Sequence, residues 1–208
     1  TNVDRQVAPD GLRFYVIRIG YPVANIEDNI PLLIGSIMGN IMSMPYLKLL
    51  DIDFPKKYVD KFQGPKFGIQ GIRDILGAYD RPLLNNMIKP CTGYTPDVGA
   101  KLFFEAAAGG VDVIKDDELI GGDRSFNKLA DRVKANMDAA HRAEEVKGEK
   151  TLYACNITDE ISRLKDNAMT VIENGGNCIM LDVHGVGYSA VRMLAEDPDI
   201  TVPILGHS

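Results

Sequence analysis

The sequence predicts an α/β fold, because strand-like and helix-like segments alternate along most of the chain. From about residue 75 onward, five short apolar runs are separated by longer segments with helical patterning. The apolar runs are nearly continuous, as expected for parallel strands that helices cover on both faces. Five such steps favour either an open doubly wound sheet or most of a (β/α)8 barrel.

Each predicted helix follows a predicted strand. The predicted strands are 82–90, 111–117, 151–158, 177–185 and 201–207. The predicted helices are 95–110, 125–148, 159–176 and 188–197. Thr95 is the expected N-cap of the first helix, and Ser125 is the expected N-cap of the second, which Gly148 ends.

The segment before residue 75 has a different pattern. "GLRFYVIRIGYPV" (11–23) predicts a strand, and "NIPLLIGSIMGNIM" (29–42) predicts a helix. We therefore expect a separate α+β module over residues 1–74, in which 62–74 forms the connection into the sheet. The second domain is expected over residues 75–208.

The composition excludes several classes of function. A 45% hydrophobic and 25% charged fraction is ordinary for a globular protein, and the net charge of −6 argues against sequence-independent nucleic-acid binding. No uninterrupted apolar run reaches the roughly 18 residues that a membrane span needs. The three cysteines have no spacing typical of a disulfide framework or a zinc site. We expect a cytoplasmic protein that binds neither membrane nor nucleic acid.

Polar side chains recur where the predicted strands end. They are Lys89, Lys115, Asp117, Glu118, Asn156, Asp182, His184 and His207. Both candidate architectures bind ligands at the carboxyl ends of their strands. The sequence therefore places a candidate small-molecule site at this edge.

The stretch "GGVDVIKDDELIGG" (109–122) is the most informative of these strand ends. In one interpretation its acids form a solvated loop that caps the next helix. In the other, Lys115 and Asp117 point the same way because they are two residues apart, and Glu118 joins them. Two carboxylates suit Mg²⁺. Carbon dioxide would convert the lysine amine to a carbamate, which supplies a third anionic oxygen ligand.

Lys89 and the two strand-end histidines allow two interpretations each. Lys89 is either a surface lysine or, near a divalent metal that lowers its pKa, a base that removes a proton next to a carbonyl. His207 and His184 are either packed side chains or site residues. No glycine pattern of the dinucleotide-binding or Walker type follows a strand.

Four features together resemble the large subunit of RuBisCO, in the same order and with similar spacing. They are "FQGPKFGIQ", "RPLLNNMIKP", "GGVDVIKDDE" and the strand-ending His207. The resemblance extends from about Tyr15 to the end of the chain. It implies a (β/α)8 TIM barrel, of which the first five βα units are present, preceded by part of an α+β N-terminal domain. It also implies a homodimer whose active site is shared between subunits.

The resemblance also implies roles for individual residues. Lys115 resembles the lysine that becomes carbamylated, and Asp117 and Glu118 resemble the other two Mg²⁺ ligands. Lys89 resembles the proton-abstracting lysine. Asn40 resembles an asparagine donated to the partner's active site, and His207 resembles a histidine that contacts substrate.

Departures from the carboxylase pattern favour a RuBisCO-like protein (form IV). Cys91 and Ser208 stand where carboxylases have a lysine and an arginine, so charge pairing with a bisphosphate is weakened. "GAYDRPLL" and "KTLYACNIT" are similar in style to the methionine-salvage enolase branch. We expect Mg²⁺-dependent enolisation or isomerisation of a phosphorylated ketose-type substrate, such as 2,3-diketo-5-methylthiopentyl 1-phosphate. The alternatives are a true carboxylase with an atypical site and a non-catalytic paralogue or fragment.

Overall fold

The computed structural model describes residues 3–7, 11, 13–39 and 42–208. The chain divides into two compact units, 1–62 and 63–208. Each unit has a hydrophobic core of its own. The domain division expected from the sequence, between residues 74 and 75, stays a prediction.

The first unit combines a two-stranded sheet with short helices. Strand β1 (Val3–Val7) pairs antiparallel with β2 (Arg13–Ile17). The helices are α1 (Val23–Ile26), α2 (Ile30–Met38) and α3 (Lys56–Val59). Helix α2 begins as its sequence dictates, because the Asn29 side chain accepts a hydrogen bond from the Leu32 amide at 2.9 Å. The strand and helix predicted in this segment are both present.

The second unit is built around five parallel strands in sequential order. They are β3 (Asn85–Met87), β4 (Val113–Lys115), β5 (Leu152–Asn156), β6 (Cys178–Asp182) and β7 (Ile204–His207). The helices of this unit are α4 (Gly68–Leu76), α5 (Pro96–Ala108), α6 (Leu129–Lys147), α7 (Ile161–Glu173), α8 (Val183–Val186) and α9 (Tyr188–Glu196). Every pair of neighbouring strands is parallel, as the alternation of elements predicts.

Both faces of the central strands β5 and β6 are buried, which explains their continuous apolar sequences. One face packs against helices α5, α6, α7 and α9 and includes Ile114, Tyr153, Cys155, Ile179 and Leu181. The other face packs against α4 and includes Leu152, Ala154, Cys178 and Met180, with Val113 at its margin. Alternate residues of each strand therefore serve two different cores.

Several boundaries differ from the sequence-based expectation. Helix α6 begins at Leu129 rather than after Ser125, because the Asp123 carboxylate accepts the Leu129 amide at 3.0 Å. Strand β6 ends at Asp182, whose carboxylate caps the short helix α8, so His184 lies on a helix and is exposed. Strands β3 and β4 are three residues long, shorter than predicted. The expected connection 62–74 contains most of α4.

A glycine two residues before β6 gives a test of the packing. A Cβ on Gly176 would lie 2.3 Å from Val171 Cγ1 and 2.8 Å from the Val171 carbonyl oxygen. Gly176→Ala is therefore expected to lower the free energy of unfolding of the full-length protein by about 1–3 kcal/mol in urea titration. Gly35→Ala is the control, since its Cβ meets nothing within 4 Å in the α2 helix. An equal loss in both variants would contradict the packing described.

Candidate active site

The carboxyl ends of the five strands bring most of the predicted site residues to one edge of the sheet. Lys115 ends β4, and His207 ends β7 beside Asp182 of β6. Lys89 follows β3 by two residues, and Asp117 follows β4 by two. Three strand spacings separate β4 from β7, roughly 14 Å along the sheet. His207 therefore belongs to the far side of this edge, away from the lysine–carboxylate cluster.

The end of β4 sends its side chains to opposite faces of the sheet. Val113 belongs to the core that α4 covers, and Ile114 belongs to the core under the other helices. By the same alternation, Lys115 lies on the side of Val113. Asp116 lies on the side of Ile114, where it meets α6. The charged run "KDDE" is therefore divided between two environments.

Asp117 and Lys89 are in direct contact. The Lys89 ammonium forms an ion pair with Asp117 Oδ2, while Asp117 Oδ1 accepts the Leu119 amide at 2.9 Å. The Asp117 side chain is fully buried, whereas that of Lys89 is 55% exposed. Burial by itself would raise the pKa of Asp117, but the hydrogen bonds from Lys89 and Leu119 outweigh it and lower that pKa.

The same contact affects the lysine. The hydrogen bond to Asp117 raises the pKa of Lys89, and the nearby charge of Glu118 adds to this effect. In this arrangement the Lys89 side chain is an ammonium that neutralises a buried carboxylate. The lowering expected near a divalent metal stays a prediction.

Lys115 is buried beside these groups, with 7% of its surface exposed. Its Nζ lies 3.2 Å from Met87 Sδ and 3.4 Å from the Asp116 carbonyl oxygen. Among the described residues, no carboxylate lies within ion-pair distance of this nitrogen. The Lys115 amine therefore forms no ion pair with a carboxylate of the described residues.

The remaining predicted residues lie in different environments. Glu118 is exposed next to buried Asp117. His207 is partly exposed, and within the described part of the chain its Nδ1 is buried without a hydrogen-bond partner. His184 makes an edge contact with the Tyr188 ring. Asn40 lies outside the described residues.

A buried polar network behind the site was missed by the sequence analysis. The Asp116 carboxylate accepts hydrogen bonds from Arg132 Nε at 3.1 Å, the Tyr153 hydroxyl at 2.8 Å and the Asn156 amide at 3.0 Å. Asp116, Arg132 and Tyr153 are all at most 1% exposed. The alternation of side chains along "KDD" could have predicted this network. Asp116 stands between Lys115 and Asp117, which face the other side, so its side chain must point toward the helices.

The charges of this network compensate one another. Burial alone would lower the pKa of Arg132, but the charge of Asp116 more than offsets it, so that pKa is raised. Burial, reinforced by the Asp116 charge, raises the pKa of Tyr153 well above its usual value. Arg132 therefore stays charged, and the Tyr153 hydroxyl stays a donor. Burial also raises the pKa of the neighbouring Cys155 thiol to about 12, so that it is not a nucleophile.

The donor set for a metal at this edge is incomplete without a chemical change. Among the described residues, no group of three or more His, Cys, Asp and Glu side chains is arranged to hold a metal ion. Asp117 and Glu118 are two adjacent carboxylates, and Lys115 is the nearby buried amine. Conversion of Lys115 to a carbamate would supply the third oxygen ligand, so the donor types of these residues suit Mg²⁺ on that condition.

Comparison with protein families agrees with the geometry. Residues 68–202 match the model of the ribulose bisphosphate carboxylase large chain, catalytic domain. The chain belongs to the RuBisCO large-chain family. Residues 5–58 match the N-terminal domain of the same large chain. The second unit is accordingly a half-barrel of the RuBisCO-like fold, and the complete eight-stranded barrel stays a prediction.

Two curated relatives show where in the RuBisCO family the similarity lies. The chain is 50% identical over 195 residues to a ribulose bisphosphate carboxylase-like protein of Archaeoglobus fulgidus, which covers 94% of this chain and 44% of that protein. It is 34% identical over 192 residues to a 2,3-diketo-5-methylthiopentyl-1-phosphate enolase of Bacillus anthracis, covering 92% and 46%. The chain thus spans about half the length of the curated relatives it matches.

Solved structures of RuBisCO-type proteins share the fold. The rubisco-like protein (MtnW) of Alicyclobacillus acidocaldarius superposes with a TM-score of 0.88 at 36% identity, covering 99% of this chain and 52% of that one. A dimeric archaeal Rubisco of Hyperthermus butylicus superposes with a TM-score of 0.85 at 36% identity, covering 98% and 48%. The predicted family is therefore confirmed. Within the described residues, no helix has the length and apolarity needed to span a membrane.

Removing Arg132 tests the buried network. Arg132→Met leaves the Asp116 carboxylate buried without its countercharge, so the free energy of unfolding is expected to fall by about 3–5 kcal/mol in urea titration. The control is Lys56→Met, which breaks the exposed Lys56–Asp60 pair and is expected to cost at most about 1 kcal/mol. A loss for Arg132→Met as small as that of the control would show that Asp116 does not depend on this partner.

Proposed function

We propose that the protein containing this chain is a RuBisCO-like enzyme that enolises a phosphorylated ketose-type substrate with Mg²⁺. The observation that carries the proposal is the contact between Lys89 and Asp117 beside buried Lys115. A candidate base, a candidate metal ligand and an uncommitted amine thus occur in one cluster. The similarity to 2,3-diketo-5-methylthiopentyl-1-phosphate enolases makes that enol-forming reaction the preferred form of the proposal.

Each residue has a defined task in this proposal. Carbamylated Lys115, Asp117 and Glu118 would hold Mg²⁺, which when bound stabilises negative charge on the substrate oxygens. Lys89 would remove the proton from the carbon next to the carbonyl. Because its hydrogen bond to Asp117 favours the ammonium form, Lys89 can act as a base only after it has left Asp117 and given up a proton. His207 would contact the substrate from the other side of the edge.

A dimer is part of the proposal. The family resemblance gives Asn40 to the partner's active site, and a solved structural neighbour is described as a dimeric Rubisco. The site would then be completed between two copies of the chain.

A true carboxylase is the second candidate. It is supported by the likeness to the Hyperthermus butylicus Rubisco at 36% identity. The residues at two positions favour enolisation without carbon dioxide fixation. Cys91 carries a thiol two residues after Lys89, and Ser208 follows His207, so neither position supplies a cation for a second phosphate. A non-catalytic paralogue is disfavoured by the joint presence of Lys89, Lys115, Asp117 and Glu118.

Replacement of Lys115 tests the carbamate. In the full-length protein, Lys115→Ala is expected to reduce Mg²⁺-dependent and bicarbonate-dependent enolase activity by more than about 100-fold, because one of three metal ligands is lost. Turnover of 2,3-diketo-5-methylthiopentyl 1-phosphate is followed by absorbance of the enol. The matched control is Lys101→Ala on the exposed face of α5, which is expected to keep wild-type activity. Full activity of Lys115→Ala would refute the carbamate.

Isotope fixation distinguishes the two candidate enzymes. The full-length protein, incubated with Mg²⁺, ribulose 1,5-bisphosphate and ¹⁴C-bicarbonate, is expected to form no acid-stable radioactive product. The reason is the loss of two cationic positions that would pair with the bisphosphate. Acid-stable label at the level of an authentic carboxylase run in parallel would establish the second candidate instead.

A further inference from the structure

The buried side chain of Asn156 holds the middle of the loop that follows β4. Its Nδ2 donates hydrogen bonds to the carbonyl oxygens of Asp117 and Glu118, both at 3.2 Å. Its Oδ1 accepts the backbone amide of Thr158 at 3.0 Å. Asn156 is fully buried at the end of β5. Both amide hydrogens are thus used inside the protein, which leaves Asn156 no donor for a ligand.

The backbone of Asn156 binds the same loop. Its amide donates to Asp116 Oδ2 at 3.0 Å, and its carbonyl oxygen accepts the Gly122 amide at 3.1 Å and Arg132 at 3.2 Å. One residue therefore contacts both ends and the middle of the segment 116–122. This segment lies outside the helices and strands, so these contacts, together with those of Arg132 to Asp116 and to the Gly122 carbonyl oxygen, hold its backbone.

The two carbonyl groups that Asn156 holds belong to the peptide units on either side of Glu118. Fixing both units fixes the direction in which the Glu118 side chain leaves the backbone. The Glu118 side chain forms no hydrogen bond or ion pair with another described residue, and it is exposed. Asp117, by contrast, has Lys89 and Leu119 as partners of its own. The orientation of Glu118 depends on Asn156 more than on its own contacts.

We propose that Asn156 is a positioning residue that orients Glu118, together with Asp117, toward a shared metal ion. The inference rests on the proposed function for the identity of the ligand. That Asn156 holds the loop follows from its own contacts and does not depend on the proposed function. The two parts are therefore separable by experiment.

Asn177 provides a matched control at the opposite end of the same sheet. Its Nδ2 donates to the Thr151 carbonyl oxygen at 2.9 Å, and its Oδ1 accepts the Tyr153 amide at 2.8 Å. Like Asn156, it links neighbouring strands through backbone groups. It does so at the amino end of β5, remote from Asp117 and Glu118.

The experiment compares Asn156→Asp with Asn177→Asp in the full-length protein. Each change replaces an amide donor by an oxygen that faces backbone carbonyl groups, so both variants lose stability. Hydrogen exchange by mass spectrometry of the segment 117–122 reports on the loop, and titration calorimetry with Mg²⁺ in bicarbonate reports on the metal. Asn156→Ala is the second variant, because it removes the donors without adding negative charge.

Asn156→Asp and Asn156→Ala are expected to speed exchange of the Leu119, Ile120 and Gly122 amides by about 10-fold or more. Their Mg²⁺ dissociation constant is expected to rise about 10–100-fold, as for other residues that orient metal ligands. Asn177→Asp is expected to leave both quantities within about twofold of wild type while lowering the melting temperature.

Each of the other outcomes contradicts a different part of the proposal. Unchanged exchange in 117–122 overturns the positioning role, whether or not the protein binds Mg²⁺. Faster exchange with unchanged Mg²⁺ affinity overturns the link to the metal ligands. An equal loss of Mg²⁺ affinity in Asn177→Asp reduces the effect to general destabilisation and overturns the proposal. Absence of Mg²⁺ binding in the wild-type protein refutes the proposed function, and the exchange result still decides whether Asn156 holds the loop.

Discussion

The buried ion pair between Asp116 and Arg132 is the interaction on which the candidate site depends. It lies behind the end of β4, where it joins the strand to α6. The carboxylate also accepts a hydrogen bond from the Tyr153 hydroxyl, which lies between its two oxygens, and one from the Asn156 backbone amide. A buried charge with so many partners tolerates little displacement, because losing any partner leaves a polar group without compensation. The chain on either side of Asp116 is fixed as a result.

That constraint explains why amine and acids follow one another at the end of a core strand. Asp116 is committed to the helix side of the sheet, so Lys115 and Asp117 are left on the other side. There Asp117 meets Lys89, and Lys115 lies next to Met87 of β3. The neighbouring strand thus contributes to the cluster through parallel pairing of Met87 with Lys115. Asp116 stands between Lys115 and Asp117 in the sequence, and its contacts on the helix side of the sheet fix the positions of both.

The family assignment and the residue chemistry support each other at different levels. The two family models cover most of the chain, and the solved structures share its fold. Neither comparison says which atoms contact one another in this chain. Those contacts show that Lys89 and Asp117 form an ion pair, and burial raises the pKa of the Cys155 thiol. The proposed enolisation therefore depends on particular lysines and carboxylates of this chain and not on membership of the family alone.

The sequence by itself determined the order of the elements, the parallel sheet and the polar strand ends. Apolar runs, helix-capping residues and glycines that end helices are local signals, because they act over a few residues. Only the tertiary structure decided where α6 begins, since Asp123 rather than Ser125 reaches the first free amide. It also decided that Asp116 pairs with Arg132 and that Asn156 is used for the backbone of the next loop. Arg132 and Asn156 lie 16 and 39 residues from these partners, and the packing of α6 and the register of the parallel strands bring them together, so no local pattern identifies them.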